Sequence, residues 1–381
     1  MTIFYFVTVL IFLCYLIYEY ATLVHSLKSI PLRIMVNGSR GKSSMVYLVY
    51  SLLRKHDYKV FAKTTGNAPQ IYAPDGNKTE LKRWAPPTIL ENIRLLRRWA
   101  KQGAEAIVME CMALQPETQR ILSRYIVKPH YLLVTNILTD HKEVMGRSLT
   151  DMTRSIAESF AGCGKIIIPE SVSVRLDKAG IEFSQVETAE TRTAPLSVKQ
   201  VPDAVLAESW SVYSNLAGKL SPDKQISGDN FKQVWLSLAQ NICYHLQSGN
   251  CMVYNLFSVN DTETAEKFID HNIRTAEQEV QRIFIFNSRA DRPLRTIDFI
   301  DLLSNKYPSV KIWLTGDGVL KRAQKQLNGR YEYVKQTEII RRIKIGFPAP
   351  VQIFCLGNFK GMEKLQSYLQ KTSKQQKVYS E

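Results

Sequence analysis

The hydrophobic positions fall into three regimes along the chain. The first eighteen residues carry no charged side chain, and 3–18 is apolar apart from Thr8. About 20 apolar residues cross a bilayer, a length this run reaches if it continues past Glu19 to Val24. Tyr15, Tyr18 and Tyr20 suit an aromatic belt at one interface, with Lys28 and Arg33 on that side. The pattern predicts a single-pass anchor in the cell membrane, with the body of the chain cytoplasmic. A buried helix of that body is the competing reading. A cleaved signal peptide fits less well, because no basic residue precedes the apolar run.

From residue 30 onward, short apolar runs alternate with helically spaced segments: 32–36, 42–55, 59–62, 86–101, 106–110, 131–136, 149–161 and 166–168. Such alternation predicts a parallel sheet covered by helices. Residues 170–230 read as mixed polar strands with a helix around 209–219. Past a linker at 247–250 a second alternation begins. Its strands lie near 251–257, 282–287, 310–315 and 351–356, and its helices at 262–272, 296–305, 317–327 and 361–370. The chain therefore divides into an anchor (1–28), a central α/β domain (29–248) and a smaller α/β domain (249–381).

Ligands of parallel sheets gather at the carboxyl ends of the strands, and the residues there carry chemistry. After the run 32–36 comes Asn37-Gly38-Ser39-Arg40-Gly41-Lys42-Ser43-Ser44. Apolar residues at 45, 48, 49, 52 and 53 then continue at helical spacing. A glycine turn feeding a helix start presents N–H groups and a partial positive charge to a phosphate. Lys42 would sit against the outer phosphates and the Ser43 hydroxyl would face Mg²⁺. The spacing G-x-x-G-K-S is shorter than the usual phosphate loop, so an ordinary strand-to-helix turn competes. Glu110 ends the run 106–109 and suits Mg²⁺, which prefers oxygen ligands; a capping glutamate is the plain alternative. Lys63-Thr64-Thr65-Gly66 follows 59–62, where a hydroxyl could reach the same metal. Asp140-His141 follows 131–136 as a metal ligand, a base or a structural pair. In the second alternation the strand ends carry Asn260-Asp261, Asn287-Ser288-Arg289-Ala290-Asp291-Arg292, Thr315-Gly316-Asp317 and Gly357-Asn358. The arginines suit an anion, because guanidinium grips phosphate or carboxylate in a two-pronged fashion.

Composition narrows the partners. The formal charge is +15 over 381 residues, which calls for nucleic acid, anionic lipid or an acidic substrate. No zinc spacing, arginine-rich tail or aromatic RNA-binding signature accompanies it, so no nucleic-acid partner is expected. Six scattered cysteines without a C-x-x-C pair read as reduced, in keeping with a cytoplasmic body.

Taken in order, these motifs resemble the PgsB/CapB family of poly-gamma-glutamate synthase subunits in the Mur ligase superfamily. The likeness rests on Val36-Asn37-Gly38-x-Arg40-Gly41-Lys42-Ser43, Lys63-Thr64-Thr65-Gly66, Glu110-Cys111-Met112-Ala113, Asn136 with Asp140-His141, Val144-Met145-Gly146 and Asn287-x-Arg289-Ala290-Asp291-Arg292. It runs from about residue 30 to 361. The resemblance implies an N-terminal transmembrane helix, a Mur-ligase-like P-loop ATPase central domain and a Rossmann-like C-terminal domain. It implies an ATP-dependent ligase that phosphorylates a carboxylate and lets an amine displace the phosphate, polymerising glutamate through γ-carboxyl linkages. The implied cofactors are ATP and Mg²⁺. The implied partners are glutamate, the poly-gamma-glutamate chain, the membrane and small membrane subunits of the PgsC/CapC and PgsA/CapA kind. By resemblance, residues 37–44 bind the nucleotide, with Lys42 at the β/γ-phosphates. Ser43, Thr65, Glu110 and His141 hold metal, and Asp261 meets the nucleotide. Arg289, Asp291 and Arg292 reach ATP or glutamate on closure.

The chain departs from the family pattern in two places. The family's Pro-Gly-x-Met-Arg stretch has no counterpart in 231–259, which contains no arginine. No lysine stands near Ile156, where many Mur ligases carry a carbamylated one. Competing readings are a folylpolyglutamate- or Mur-type ligase on another acceptor, a non-catalytic nucleotide-binding scaffold, and a basic nucleic-acid-binding P-loop protein.

Overall fold

The computed structural model describes residues 2–66, 69–83, 86–197, 201–220, 228–239, 242–246, 251–259, 261–276, 280–317 and 325–372. Asn260, the linker 247–250, most of the helix expected at 317–327 and the tail beyond 372 lie outside them. The chain forms two compact units, residues 1–192 with 208–230, and 193–207 with 231–381.

The first unit opens with helix α1 (Thr2–Ser29), strand β1 (Leu32–Asn37), helix α2 (Lys42–Lys55) and strands β2 (Val60–Lys63), β3 (Gln70–Tyr72) and β4 (Lys78–Glu80). Helix α3 (Glu91–Lys101), strand β5 (Ala106–Glu110), helix α4 (Pro116–Ile121), a π-helical turn (Leu122–Val127) and strand β6 (Tyr131–Val134) follow. Helices α5 (Lys142–Met145) and α6 (Leu149–Ala157), strand β7 (Lys165–Pro169), helix α7 (Glu170–Ala179) and strand β8 (Val186–Ala189) complete the sheet region. The strand order is β4-β3-β2-β5-β1-β6-β7-β8. Every pairing from β2 to β8 is parallel, and only β3 and β4 join antiparallel. The three central strands β5, β1 and β6 are buried on both faces over most of their length, which is why they read as continuous apolar runs and not as alternation.

The second unit carries β9 (Cys243–Leu246), β10 (Cys251–Asn255), β11 (Gln281–Ser288), β12 (Lys311–Gly316), β13 (Tyr331–Tyr333) and β14 (Val351–Gly357). The order β13-β12-β11-β14-β10-β9 is parallel except for the β9–β10 pair. Both sheets bear out the expected parallel α/β architecture.

Several expected elements change. The helix expected at 86–101 begins only at Glu91. Residues 170–230 are not mixed polar strands. They hold α7, β8, a helix at Asp203–Leu220 and the start of another at Asp229–Ala239. In α7 the buried residues are Val172, Leu176 and Ala179, a spacing of four and three that places them on one helical face.

Helix α1 has two parts. Residues 3–18 are exposed throughout, with Ile3 at 81% and Tyr18 at 64%. Leu23, Leu27 and Ile30 instead join the core cluster that contains Met35, Leu96 and Trp99. Ile3–Ser29 is long and apolar enough to cross a membrane. Glu19 pairs with Arg97 of α3 at 2.6 Å, where the exposed part gives way to the packed part. Arg33 fastens the junction. Its Nη1 donates to the carbonyls of Leu27 (2.7 Å) and Ile30 (2.8 Å), and its Nε to those of Val127 (3.1 Å) and Lys128 (3.0 Å). A guanidinium is suited to this because it offers five donors in a fixed plane.

Arg33→Met should cost about 3 kcal/mol, since it strands carbonyls that one charged group satisfies. A urea titration of the detergent-solubilised chain measures it. A loss smaller than about 1 kcal/mol would show that water replaces the guanidinium without penalty.

Candidate functional site

The order β2-β5-β1-β6 sets the carboxyl ends of four strands side by side in the first unit. Val36 of β1 registers with Glu110 of β5, and Lys63 of β2 with Met109. The glycine turn after β1, the threonines after β2 and the acid ending β5 are thereby collected from three distant stretches of sequence.

The turn is braced from below and from one side. Asn37 is buried; its Nδ2 donates to Gln119 Oε1 and Ser159 Oγ, both at 2.9 Å, and its Oδ1 accepts the Gly38 N–H at 2.8 Å. From the loop after β6, the Asn136 carbonyl accepts the Ser39 N–H at 3.0 Å, and its side-chain oxygen accepts the Arg40 N–H at 2.8 Å. Ser39 Oγ donates to the Leu138 carbonyl at 2.9 Å and accepts the Leu138 N–H at 2.8 Å. Gly38 has φ +124°, and a Cβ there would lie 2.4 Å from Thr135 Oγ1 and 2.8 Å from the Asn136 carbonyl. Only glycine fits both the conformation and the space. Gly41, at φ 73°, caps α2 without any side-chain cap bond, so the N–H groups of the first turn have no side chain of the cap residue to satisfy them. Ser44 sits half-buried in that turn.

Oxygens from three segments, the start of α2, the loop after β2 and the end of β5, converge beside it. Ser43 Oγ donates to Glu110 Oε2 at 2.7 Å. Thr65 Oγ1 donates to Glu110 Oε1 at 2.6 Å, and the Thr65 N–H to Oε2 at 2.9 Å. Glu110 is 5% exposed, so these donors carry much of the cost of burying its charge. A carboxylate with two hydroxyls is the donor chemistry that a hard divalent cation selects. Lys42 lies back over the turn, its Nζ donating to the Gly38 carbonyl at 2.7 Å.

Other expected residues sit differently. His141 adopts φ 50° at the start of α5; its Nε2 is 3.6 Å from Asp140 Oδ2, and Asp140 in turn pairs with Arg40 at 2.8 Å. Asp140 and His141 are thus tied to the glycine turn through Arg40. No group of three or more His, Cys, Asp or Glu side chains placed to hold a metal occurs among the described residues. The hydrogen-bonded oxygen cluster joins one acid with two hydroxyls. In the second unit, Asp261 caps helix Thr262–Arg274 by accepting the Thr264 N–H at 2.7 Å. The Arg289 guanidinium grips Asp291 in two-pronged fashion and holds its carboxyl below the usual range. Asp317 accepts the Ala290 N–H at 3.0 Å, and Arg292 starts helix Pro293–Lys306.

Lys63 is fully buried next to this cluster, its Nζ 2.6 Å from Glu91 Oε1 and bonded to Asn92 Oδ1. Burial pushes its ammonium below the ordinary lysine value, and Glu91 pulls it back up. Gln119, Ser159 and Glu91 were not foreseen. None of the three carries a local sequence signal, since each meets the site only through the packing of distant elements.

Comparison with known proteins places the chain. The Mur ligase middle domain model matches residues 36–183, and the poly-gamma-glutamate synthase CapB C-terminal domain model matches 243–372. The capsule biosynthesis protein CapB of Bacillus anthracis is 32% identical over 147 residues, 38% of this chain and 32% of that protein. The PGA synthase CapB of Bacillus subtilis (strain 168) is 32% identical over 148 residues, 38% of each chain. The matched stretch thus spans about a third of these relatives' length. The bifunctional folylpolyglutamate synthase/dihydrofolate synthase of Yersinia pestis, solved with AMPPNP and Mn ion, superposes with a TM-score of 0.61. At 14% identity over 92% of both chains, that likeness speaks for the fold.

Gly38→Ala and Gly41→Ala should separate space from conformation. Alanine at 41 meets nothing within 4 Å and should cost only the roughly 1–2 kcal/mol of left-handed backbone. Alanine at 38 adds a clash with backbone and should unfold the first unit at a clearly lower temperature. Equal melting temperatures for the two variants would contradict the bracing described.

Proposed function

We propose that this chain, which belongs to the CapB type of the Mur ligase superfamily, is an ATP-dependent ligase that joins glutamate through γ-carboxyl linkages. The observation that carries the reading is the meeting of Ser43, Thr65 and Glu110 oxygens beside Lys42 at the mouth of a glycine turn. A carboxylate is a poor electrophile until phosphorylated, and phosphoryl transfer depends on positioning and charge neutralisation.

In this reading the α2 start and the N–H groups of residues 41–44 seat the phosphates of ATP, as helix N-termini do for anions. Lys42 releases the Gly38 carbonyl and neutralises the β/γ oxygens. The residues that would hold a divalent cation, Mg²⁺ in the cell, are Ser43, Thr65 and Glu110, and when bound it would supply further charge neutralisation at the phosphates. Arg40 and Asp140 orient His141, which we assign to the acceptor side. Arg289, Asp291 and Arg292 are assigned to anion recognition in the second unit, and Asp261 to the nucleotide. Helix α1 anchors the chain in the membrane with its body cytoplasmic, where small membrane subunits would carry the polymer onward. The +15 charge gives an anionic chain a reason to stay near the enzyme. A second reading, a nucleotide-binding scaffold without turnover, is favoured by the lack of arginine in 231–259.

The full chain incubated with ATP, Mg²⁺ and glutamate should release ADP and build polymer. Lys42→Ala and Glu110→Gln should each lower both by about 100-fold or more. ATP binding without glutamate-dependent turnover would establish the scaffold instead. Equal background rates in all three proteins would reject the ligase.

A further inference from the structure

A cavity of about 350 Å³ opens at the foot of α1, lined by Val24, Leu27, Lys28, Ile30, Pro31, Arg33, Lys128 and His130. Half of that lining is apolar and the other half is basic or imidazole, with no acid in it. Arg33 holds four carbonyls through its Nε and Nη1, which fixes its charge at the cavity wall. His130 Nδ1 accepts the Arg33 N–H at 3.0 Å. Lys28 is exposed and Lys128 half-buried, and neither has an ion pair or hydrogen bond for its ammonium among the described residues. Lys128 also adopts φ 46°, a left-handed conformation that a residue other than glycine holds at a cost of about 1–2 kcal/mol.

The position along the helix supplies the ligand class. About 20 residues at 1.5 Å each cross the ~30 Å hydrocarbon core; counted from Ile3, the core ends near Thr22. The headgroup layer adds roughly 5–7 Å on that side, which covers the turn beginning at Val24. Side chains on a helix lean toward its N-terminus, so Lys28 leans back toward the membrane, and its stem can run along apolar surface. We propose that this cavity binds the phosphate headgroup of an anionic membrane lipid, gripped by Lys28 and Lys128, with the acyl chains continuing along the exposed face of α1. The site rests on α1 being a membrane span. It goes beyond that reading by giving the body of the chain a fixed lipid contact that orients the first unit against the bilayer.

The test uses the full chain reconstituted in phosphatidylcholine vesicles, with and without one-third phosphatidylglycerol, beside the double variant Lys28→Gln, Lys128→Asn. Asparagine is chosen at 128 because it tolerates the left-handed backbone. Flotation reports the span, and lipid retained after gentle detergent extraction, quantified by mass spectrometry, reports the site. Both proteins should float with both vesicle types. The parent should retain phosphatidylglycerol above its bulk fraction, and the variant should retain roughly 30-fold less, in line with two lysine contacts to an anionic surface. Flotation with no preference for phosphatidylglycerol, or equal retention by the variant, would overturn the site while leaving the span intact. Failure of the parent to float would remove the span and the site together. Displacement of the retained lipid by millimolar inorganic phosphate or by soluble polyglutamate would reassign the cavity to a free anion or to the polymer, and so overturn the lipid.

Discussion

One carboxylate holds the candidate site together. Glu110 ends a strand buried on both faces and receives three hydrogen bonds, two from hydroxyls and one from backbone. Those donors come from the helix after β1 and the loop after β2, so the acid joins three segments far apart in sequence. Burying such a charge is costly unless it is paired or well hydrogen-bonded, and here it is hydrogen-bonded on both oxygens. The same two hydroxyls are what a hard cation would take up, so the apo hydrogen bonds and the proposed metal set share one geometry.

Much of this was legible in the sequence because its signals are local. The glycine turn, the helix after it and the apolar run that precedes Glu110 each declare themselves within a dozen residues. The rule that ligands gather at strand ends then points at Glu110 and Thr65 without a structure. Strand order is not local. That β5 lies between β2 and β1 decides that Thr65 and Ser43 meet the same acid, and no periodicity reports it. The bracing of Asn37 by Gln119 and Ser159 is invisible for the same reason. His141 shows the opposite limit: the Asp-His pair is easy to find, yet what it faces depends on Arg40, which the turn projects toward it. The mixed-strand reading of 170–230 failed at α7, whose three buried positions are too few to outweigh polar neighbours, whereas the helix expected around 209–219 is present within Asp203–Leu220.

Helix α1 is continuous with the fold. Residues 3–18 are exposed, while Leu23, Leu27 and Ile30 belong to the core of the first unit and Arg33 ties them to the turn after the π-helix. Under the proposed anchoring, a flexible tether would let the body tumble over the bilayer. A helix that ends inside the core instead holds the glycine turn at a set height and orientation, since β1 begins three residues after α1 ends.

Metal-assisted nucleotide docking at the glycine turn is tested most directly by equilibrium binding of a non-hydrolysable ATP analogue to the full chain, titrated with Mg²⁺. Affinity should rise with Mg²⁺ in the parent and stay nearly flat in Glu110→Gln, with folding of the variant verified by circular dichroism. Binding indifferent to Mg²⁺ in the parent, or the same Mg²⁺ response in the variant, would contradict the role given to Glu110.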